Sequence, residues 1–249
     1  MKKIFAIGGG EIGRPGHSIE TTAIDKEIIR QSGKKRPNLL FIPTASKDSE
    51  GYIATVQNYF GKKLGCKIDN LLTVDESPST NIIRNKILNS DIVYVGGGNT
   101  LYMMRQWKKL GIDKVLIEAY NKGVVMSGLS AGAICWFKYG TSDSRMMTDP
   151  KFKDYIKVSG LNIINVILSP HHLTEKKRKP GLIKIIKKFG GIGLALDDYS
   201  AIEIIDDKFK IITSKPQAKA YRVFILDGKL NYKEIPKNKF FDITKLTTK

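Results

Sequence analysis

The chain has 249 residues, with 42 Lys and Arg against 24 Asp and Glu, a formal charge of +18. Apolar residues are 41% and charged residues 27%, which excludes wholesale disorder and allows a full buried core. No apolar run approaches the roughly 18 residues of a membrane span, and two cysteines, Cys66 and Cys135, are too few for a disulfide framework.

Short apolar runs alternate with helical patterns, the signature of a parallel α/β sheet. Ile4 to Ile7 reads as the first strand. The basic start has the look of an export signal, but Gly8-Gly9-Gly10-Glu11 cuts its apolar run short, so a reducing cytoplasm is expected. Gly8 to Gly13 also matches the dinucleotide-binding pattern, which works only if a helix begins within it. Here Gly13-Arg14-Pro15-Gly16 postpones the helix to about Ser18 or Ile19, and no acid ends the next strand, Asn38 to Pro43. A tight loop at the carboxyl edge of the sheet is the better reading.

Apolar residues at helical spacing predict a helix over Tyr52 to Leu64, stopped by Gly65. Leu71 to Val74 is read as a strand and Asn81 to Asn89 as a helix capped by Ser79 or Thr80. Asp91 to Val95 is a strand that ends at Gly96-Gly97-Gly98. Helices follow from Asn99 or Thr100 to about Leu110 and from Lys114 to Lys122. Val124 to Ser127 is a short buried strand, and Ile163 to Ser169 looks extended. Lys179 to Phe189 is amphipathic, with Leu182, Ile183, Ile186 and Phe189 inward. Gly193 to Leu196, Ala201 to Asp206 and Phe209 to Ser214 read as a β meander. Tyr221 to Leu226 and Leu230 to Ile235, joined at Asp227-Gly228, read as a closing hairpin. No repeat or linker interrupts residues 1–249, so a single domain is expected.

The charge invites a nucleic-acid reading, but only eight of the 42 cations are arginine. Lysine lacks the bidentate fork that suits phosphates and bases. The lysines are spread along the chain, apart from a cluster around Lys176 to Lys188. A solvated surface is expected, with neither nucleic acid nor membrane as partner.

Gly128-Leu129-Ser130-Ala131-Gly132 carries the chemistry. It is G-x-S-x-G between a buried strand and a helical segment, the setting of a nucleophile elbow. The Ala131 N–H, at the helix start, is placed to donate to an oxyanion. Serine needs a base, and the histidines are His17, His171 and His172. His171 is the better base. It ends a predicted strand, on the same edge as Ser130 if the sheet is parallel, and Pro170 fixes the chain just before it. His172 reads as a loop residue. The run at Gly96 to Gly98 offers backbone N–H groups for a second oxyanion donor, and no His, Cys or carboxylate array suggests a metal.

Taken together, Gly8-Gly9-Gly10, Ile42-Pro43-Thr44-Ala45, Val95 to Thr100, Gly128 to Ala133 and Ser169-Pro170-His171 resemble the peptidase E (aspartyl dipeptidase) family and its cyanophycinase relatives. Those are serine hydrolases on a class I glutamine amidotransferase-like fold: a mostly parallel twisted sheet with helices on both faces, here with a C-terminal β meander. The resemblance implies Ser130 as nucleophile, His171 as base, and Gly98 with Ala131 as oxyanion hole. For the triad acid it offers Asp198, the favoured choice, or Asp143. It implies small peptides as substrates, aspartyl or isoaspartyl dipeptides among them, and needs no cofactor or metal. Arg178 is its nearest match for a substrate-binding cation, although His172-Leu173-Thr174-Glu175 departs from the family pattern there. Homodimerisation is left open. The competing readings are a non-catalytic member of the fold and an amidase acting on another acyl or amide substrate.

Overall fold

In the computed structural model, which describes residues 1–74 and 77–249, the first half of the chain alternates strands and helices. In order it forms β1 (Lys3–Ile7), α1 (Thr22–Gln31), β2 (Asn38–Ile42), α2 (Glu50–Val56), β3 (Lys67–Asn70), α3 (Thr80–Leu88) and β4 (Ile92–Val95). Next come α4 (Thr100–Leu110), α5 (Ile112–Lys122), β5 (Val125–Leu129) and the short α6 (Ala131–Ile134). The second half is mostly strand: β6 (Phe137–Ser142), β7 (Ile156–Ser159), β8 (Ile164–Ser169), α7 (Arg178–Phe189), β9 (Ile192–Leu196), β10 (Ser200–Ile205) and β11 (Lys208–Thr213). It closes with β12 (Ala220–Leu226), β13 (Lys229–Glu234), β14 (Phe241–Asp242) and α8 (Thr244–Thr247).

The architecture is α/β, built on two sheets. An eight-stranded sheet runs β14-β11-β10-β1-β5-β4-β2-β3, with β1, β5, β4, β2 and β3 mutually parallel. Side chains alternate across it. Ile4, Ala6, Leu40 and Ile42 face one cluster with α3, α4 and α5, while Phe5, Ile7, Leu39 and Phe41 face another with α1 and α2. Helices therefore cover both faces, and strands buried on both sides read as unbroken apolar runs. A six-stranded sheet, β13-β12-β9-β8-β6-β7, packs on the first of these clusters through Leu168, Leu194 and Leu196. Its outer face is covered by Leu182, Ile185 and Ile186 of α7.

Several local expectations shift. The first helix starts at Thr22 rather than near Ile19, because Ile19 bridges back to Ile12 and residues 12–19 form a small hairpin. The helix over 52–64 divides into α2 and a π-helical stretch, Gln57–Lys63. The strand expected at Leu71 to Val74 lies four residues earlier, because β3 pairs in register with β2 from Asn38↔Lys67. On α7, Ile185 is buried and Phe189 exposed, with the lysines on the outer side.

The C-terminal strands are present but do not form one meander. β9 joins the second sheet, parallel to β8, while β10 and β11 form a hairpin that extends the first sheet antiparallel to β1. Among the described residues, no helix is long and apolar enough to cross a membrane.

Candidate active site

Ser130 sits between β5 and α6 with φ 55° and ψ −109°, a conformation costly for any residue with a Cβ. The flanking glycines make it attainable. A Cβ on Gly128 would overlap the Gly132 carbonyl, and one on Gly132 would overlap the Val95 carbonyl. The reversal is so tight that only hydrogen fits on either side, which is the physical content of G-x-S-x-G.

His171 Nε2 lies 2.8 Å from Ser130 Oγ, and its Nδ1 lies 2.6 Å from Asp198 Oδ1. An ionised carboxylate can only accept, so Nδ1 carries the proton and donates to Asp198. Nε2 is then bare and accepts from the Ser130 hydroxyl. Burial by itself would push the Asp198 carboxyl up. The hydrogen bond and charge of His171, the Thr174 hydroxyl and the Arg178 guanidinium outweigh it and hold Asp198 below its ordinary value. Asp143 makes no hydrogen bond to His171 among the described residues; its carbonyl accepts the Met147 N–H.

The three side chains come from different places. Ser130 ends β5 of the first sheet, His171 follows β8 of the second, and Asp198 follows β9 beside it. The single shared sheet edge expected for Ser130 and His171 is thus replaced by a junction between two sheets. The end of β1 ties that junction together. Ile7 C=O accepts the Ser130 N–H at 3.0 Å, Gly8 C=O the His171 N–H at 3.2 Å, and Gly9 C=O the Tyr199 N–H at 2.9 Å. Three consecutive carbonyls therefore register the three loops against one another. His171, like Ser130, has a positive φ, 54°, which its neighbours must enforce.

A cavity of about 470 Å³ opens beside Ser130 and His171, lined also by Glu11, Arg14, Tyr52, Gly97 and Leu129. Arg178 does not line it. Its side chain is only 2% exposed, ion-paired to Glu175 at 2.7 Å, bonded to the Thr141 carbonyl at 2.8 Å and set over the Tyr155 ring. That corrects the expectation of a substrate-binding role: the guanidinium is spent inside the protein. Among the described residues, Arg14 is the one Lys or Arg lining the cavity, 58% exposed and paired with Glu11 through two nitrogens. Gly98 N–H and Ala131 N–H, the expected oxyanion donors, meet no acceptor among the described residues.

Sequence reasoning missed Gly9, Arg14 and Tyr52. Gly8-Gly9-Gly10 marked a tight loop, but only the fold reveals that it touches His171 and Asp198. His172 lies in the turn after β8, as read, and is buried there, with Nε2 2.9 Å from the Tyr232 hydroxyl; burial lowers it to about 4. Among the described residues, no group of three or more His, Cys, Asp or Glu could hold a metal ion.

Known proteins resemble the chain both in sequence and in fold. The family model described as Peptidase family S51 matches residues 4–212. An uncharacterized peptidase, YgaJ, of Bacillus subtilis (strain 168) is 37% identical over 240 residues, covering 95% of this chain and 97% of the relative. Among solved structures, a peptidase from an acI-B1 Actinobacterium superposes with a TM-score of 0.73 at 17% identity, covering 97% of each chain. A putative peptidase E protein from Listeria monocytogenes EGD-e gives 0.62 at 21% identity, covering 86% of this chain and 98% of that one. The fold is shared with these peptidases, and the chain belongs to peptidase family S51.

Proposed function

We propose that the chain is a serine peptidase that hydrolyses small peptides through an acyl-enzyme. The observation that carries this reading is the unbroken line from Ser130 Oγ through His171 to Asp198, at 2.8 and 2.6 Å. Ser130 Oγ attacks the peptide carbonyl as His171 Nε2 takes its proton, and Asp198 stabilises the imidazolium. The carbonyl electron pair moves to oxygen, and the Gly98 and Ala131 N–H groups donate to that oxyanion. On collapse the C–N bond breaks, and His171 returns the proton to the leaving amine. Water, deprotonated by the same histidine, then releases the acyl group.

Aspartyl or isoaspartyl dipeptides are the substrates we favour. A carboxylate in the cavity needs a cation, and Arg14 supports that choice because Glu11 orients its guanidinium and the residue lines the same cavity as Ser130. The two cysteines are free and buried, which supports a reducing, cytoplasmic setting.

Treatment with a serine-directed fluorophosphonate tests the chemistry. Adduct on Ser130, lost in His171→Ala, is the expected result. Hydrolysis of Asp-X, β-Asp-X and neutral dipeptides then tests the substrate. Equal rates on all three would remove the acidic preference, and unlabelled Ser130 with no hydrolysis would sink the peptidase reading.

A further inference from the structure

The glycine run after β4 requires a tether that it cannot supply itself. Gly96, Gly97 and Gly98 have no Cβ, so each is weakly restricted and no side chain of theirs can hold a peptide plane. The ends of the run are pinned by backbone: Gly96 N–H donates to Ile42 C=O at 3.2 Å and Asn99 N–H to Ala45 C=O at 2.8 Å. In the middle, Gly97 N–H donates to a side chain, the Tyr52 hydroxyl, at 3.3 Å.

Tyr52 is well held for this. It lies in the first turn of α2, and its ring meets Phe41 edge-on with centroids 5.0 Å apart. A Cβ on Gly96 would come within 2.9 Å of the Tyr52 ring, so the loop and the phenol are packed to contact. The residue also lines the cavity with Ser130 and His171. Burial raises the phenol to about 12, which keeps the hydroxyl neutral across the working pH range.

We propose that Tyr52 is a positioning residue for the oxyanion site: by accepting the Gly97 N–H it fixes the loop so that the next donor, Gly98 N–H, points at the carbonyl under attack. The proposal rests on the serine-peptidase reading. When the Ser130 Oγ–C bond forms, the carbonyl pair becomes an oxyanion, and donors already in place stabilise it without reorganising. Without this bond the middle of the run, though pinned at both ends, would have to be ordered at that moment, a cost that falls on the transition state and not on substrate binding.

Tyr52→Phe tests this, since it keeps the ring contacts and removes one oxygen. On a dipeptide that the wild type hydrolyses and Ser130→Ala does not, kcat should fall by about tenfold or more, with KM little changed. The thermal midpoint should stay at the wild-type value. Fluorophosphonate labelling of Ser130 should slow by a similar factor, because the phosphoryl oxygen occupies the same donors. Wild-type kcat in the variant overturns the proposal. So does a raised KM at constant kcat, which would make Tyr52 a substrate contact, and so does a kcat loss that merely follows a lowered thermal midpoint. If the wild type hydrolyses no peptide, the peptidase reading fails by itself, and the labelling rates of wild type and Tyr52→Phe still decide the tether.

Discussion

Gly9 lies so close to Asp198 that a single side-chain carbon on Gly9 would overlap Asp198 Oδ1 and, beside it, His171 Nδ1. The hydrogen bond that orients the histidine is thus packed directly on the main chain at the end of β1. Backbone conformation is not the reason for this glycine, since its φ lies outside the left-handed range that favours glycine. Space is the reason. Gly9→Ala should push Asp198 and His171 apart and lower kcat/KM by roughly 100-fold or more, the cost expected of an ångström-scale misplacement. Steady-state hydrolysis checks it, and near-wild-type activity would contradict the packing argument.

The choice between the two acids can be read from turnover. Asp198→Asn keeps the shape but reverses the donor at Nδ1, so the wrong imidazole tautomer faces Ser130. Losses of about 10³- to 10⁴-fold in kcat are expected. Asp143→Asn, with no bond to His171, should stay within a few-fold of wild type. The reverse pattern would move the triad to Asp143.

The two arginines should separate stability from binding. Arg178→Met removes a buried cation from Glu175, Thr141 and Tyr155 and should cost roughly 2 to 4 kcal/mol of stability, with little change in KM. Arg14→Ala should leave the thermal midpoint almost unchanged, since an exposed pair contributes little. It should raise KM for Asp-X far more than for a neutral dipeptide, and added salt should narrow the difference. Urea unfolding and a KM comparison on both substrates check the pair of outcomes.

Stability should also carry the mark of a buried acid. Asp25 on α1 is fully buried; burial raises it from 3.8 to about 7, against the opposing hydroxyls of Thr21 and Tyr59. Its Oδ1 has no hydrogen-bond partner among the described residues. Above pH 3.8 the unfolded chain loses this proton while the folded chain keeps it, so stability falls as pH rises toward 7 and then levels off. The total is roughly 4 kcal/mol at most. His172, lowered from 6.5 to about 4, has the opposite slope: its contribution is lost as pH falls through that window. The diagnostic quantity is therefore the difference between Asp25→Asn and wild type in urea unfolding from pH 4 to 8. That difference should grow with pH in favour of the variant. A constant difference would mean that Asp25 is ionised in the folded protein.

Much of this protein was legible in one dimension. The strand-to-helix turn at Ser130 is a local event: two glycines and a small residue allow a reversal that few sequences tolerate, so G-x-S-x-G announces it. The strands around β1, β2, β4 and β5 are legible for the same reason, since burial on both faces writes itself as a continuous apolar run. His171 could be singled out because only three histidines exist and Pro170 precedes this one.

What the chain order alone could not reveal depends on pairing between distant strands. β8 and β9 leave the first sheet for a second, and that choice brings His171 and Asp198 to Ser130 from across a junction. The same pairing leaves Asp143 without a bond to His171 and buries Arg178 as a prop. It also sets Gly9 against His171 and Asp198 and brings Tyr52 to Gly97. The sequence by itself determined which groups could do chemistry, because turn geometry and hydrophobic period act within a few residues. Only the tertiary structure decided which of them meet, because contact between residues far apart in the chain is set by the packing of whole sheets.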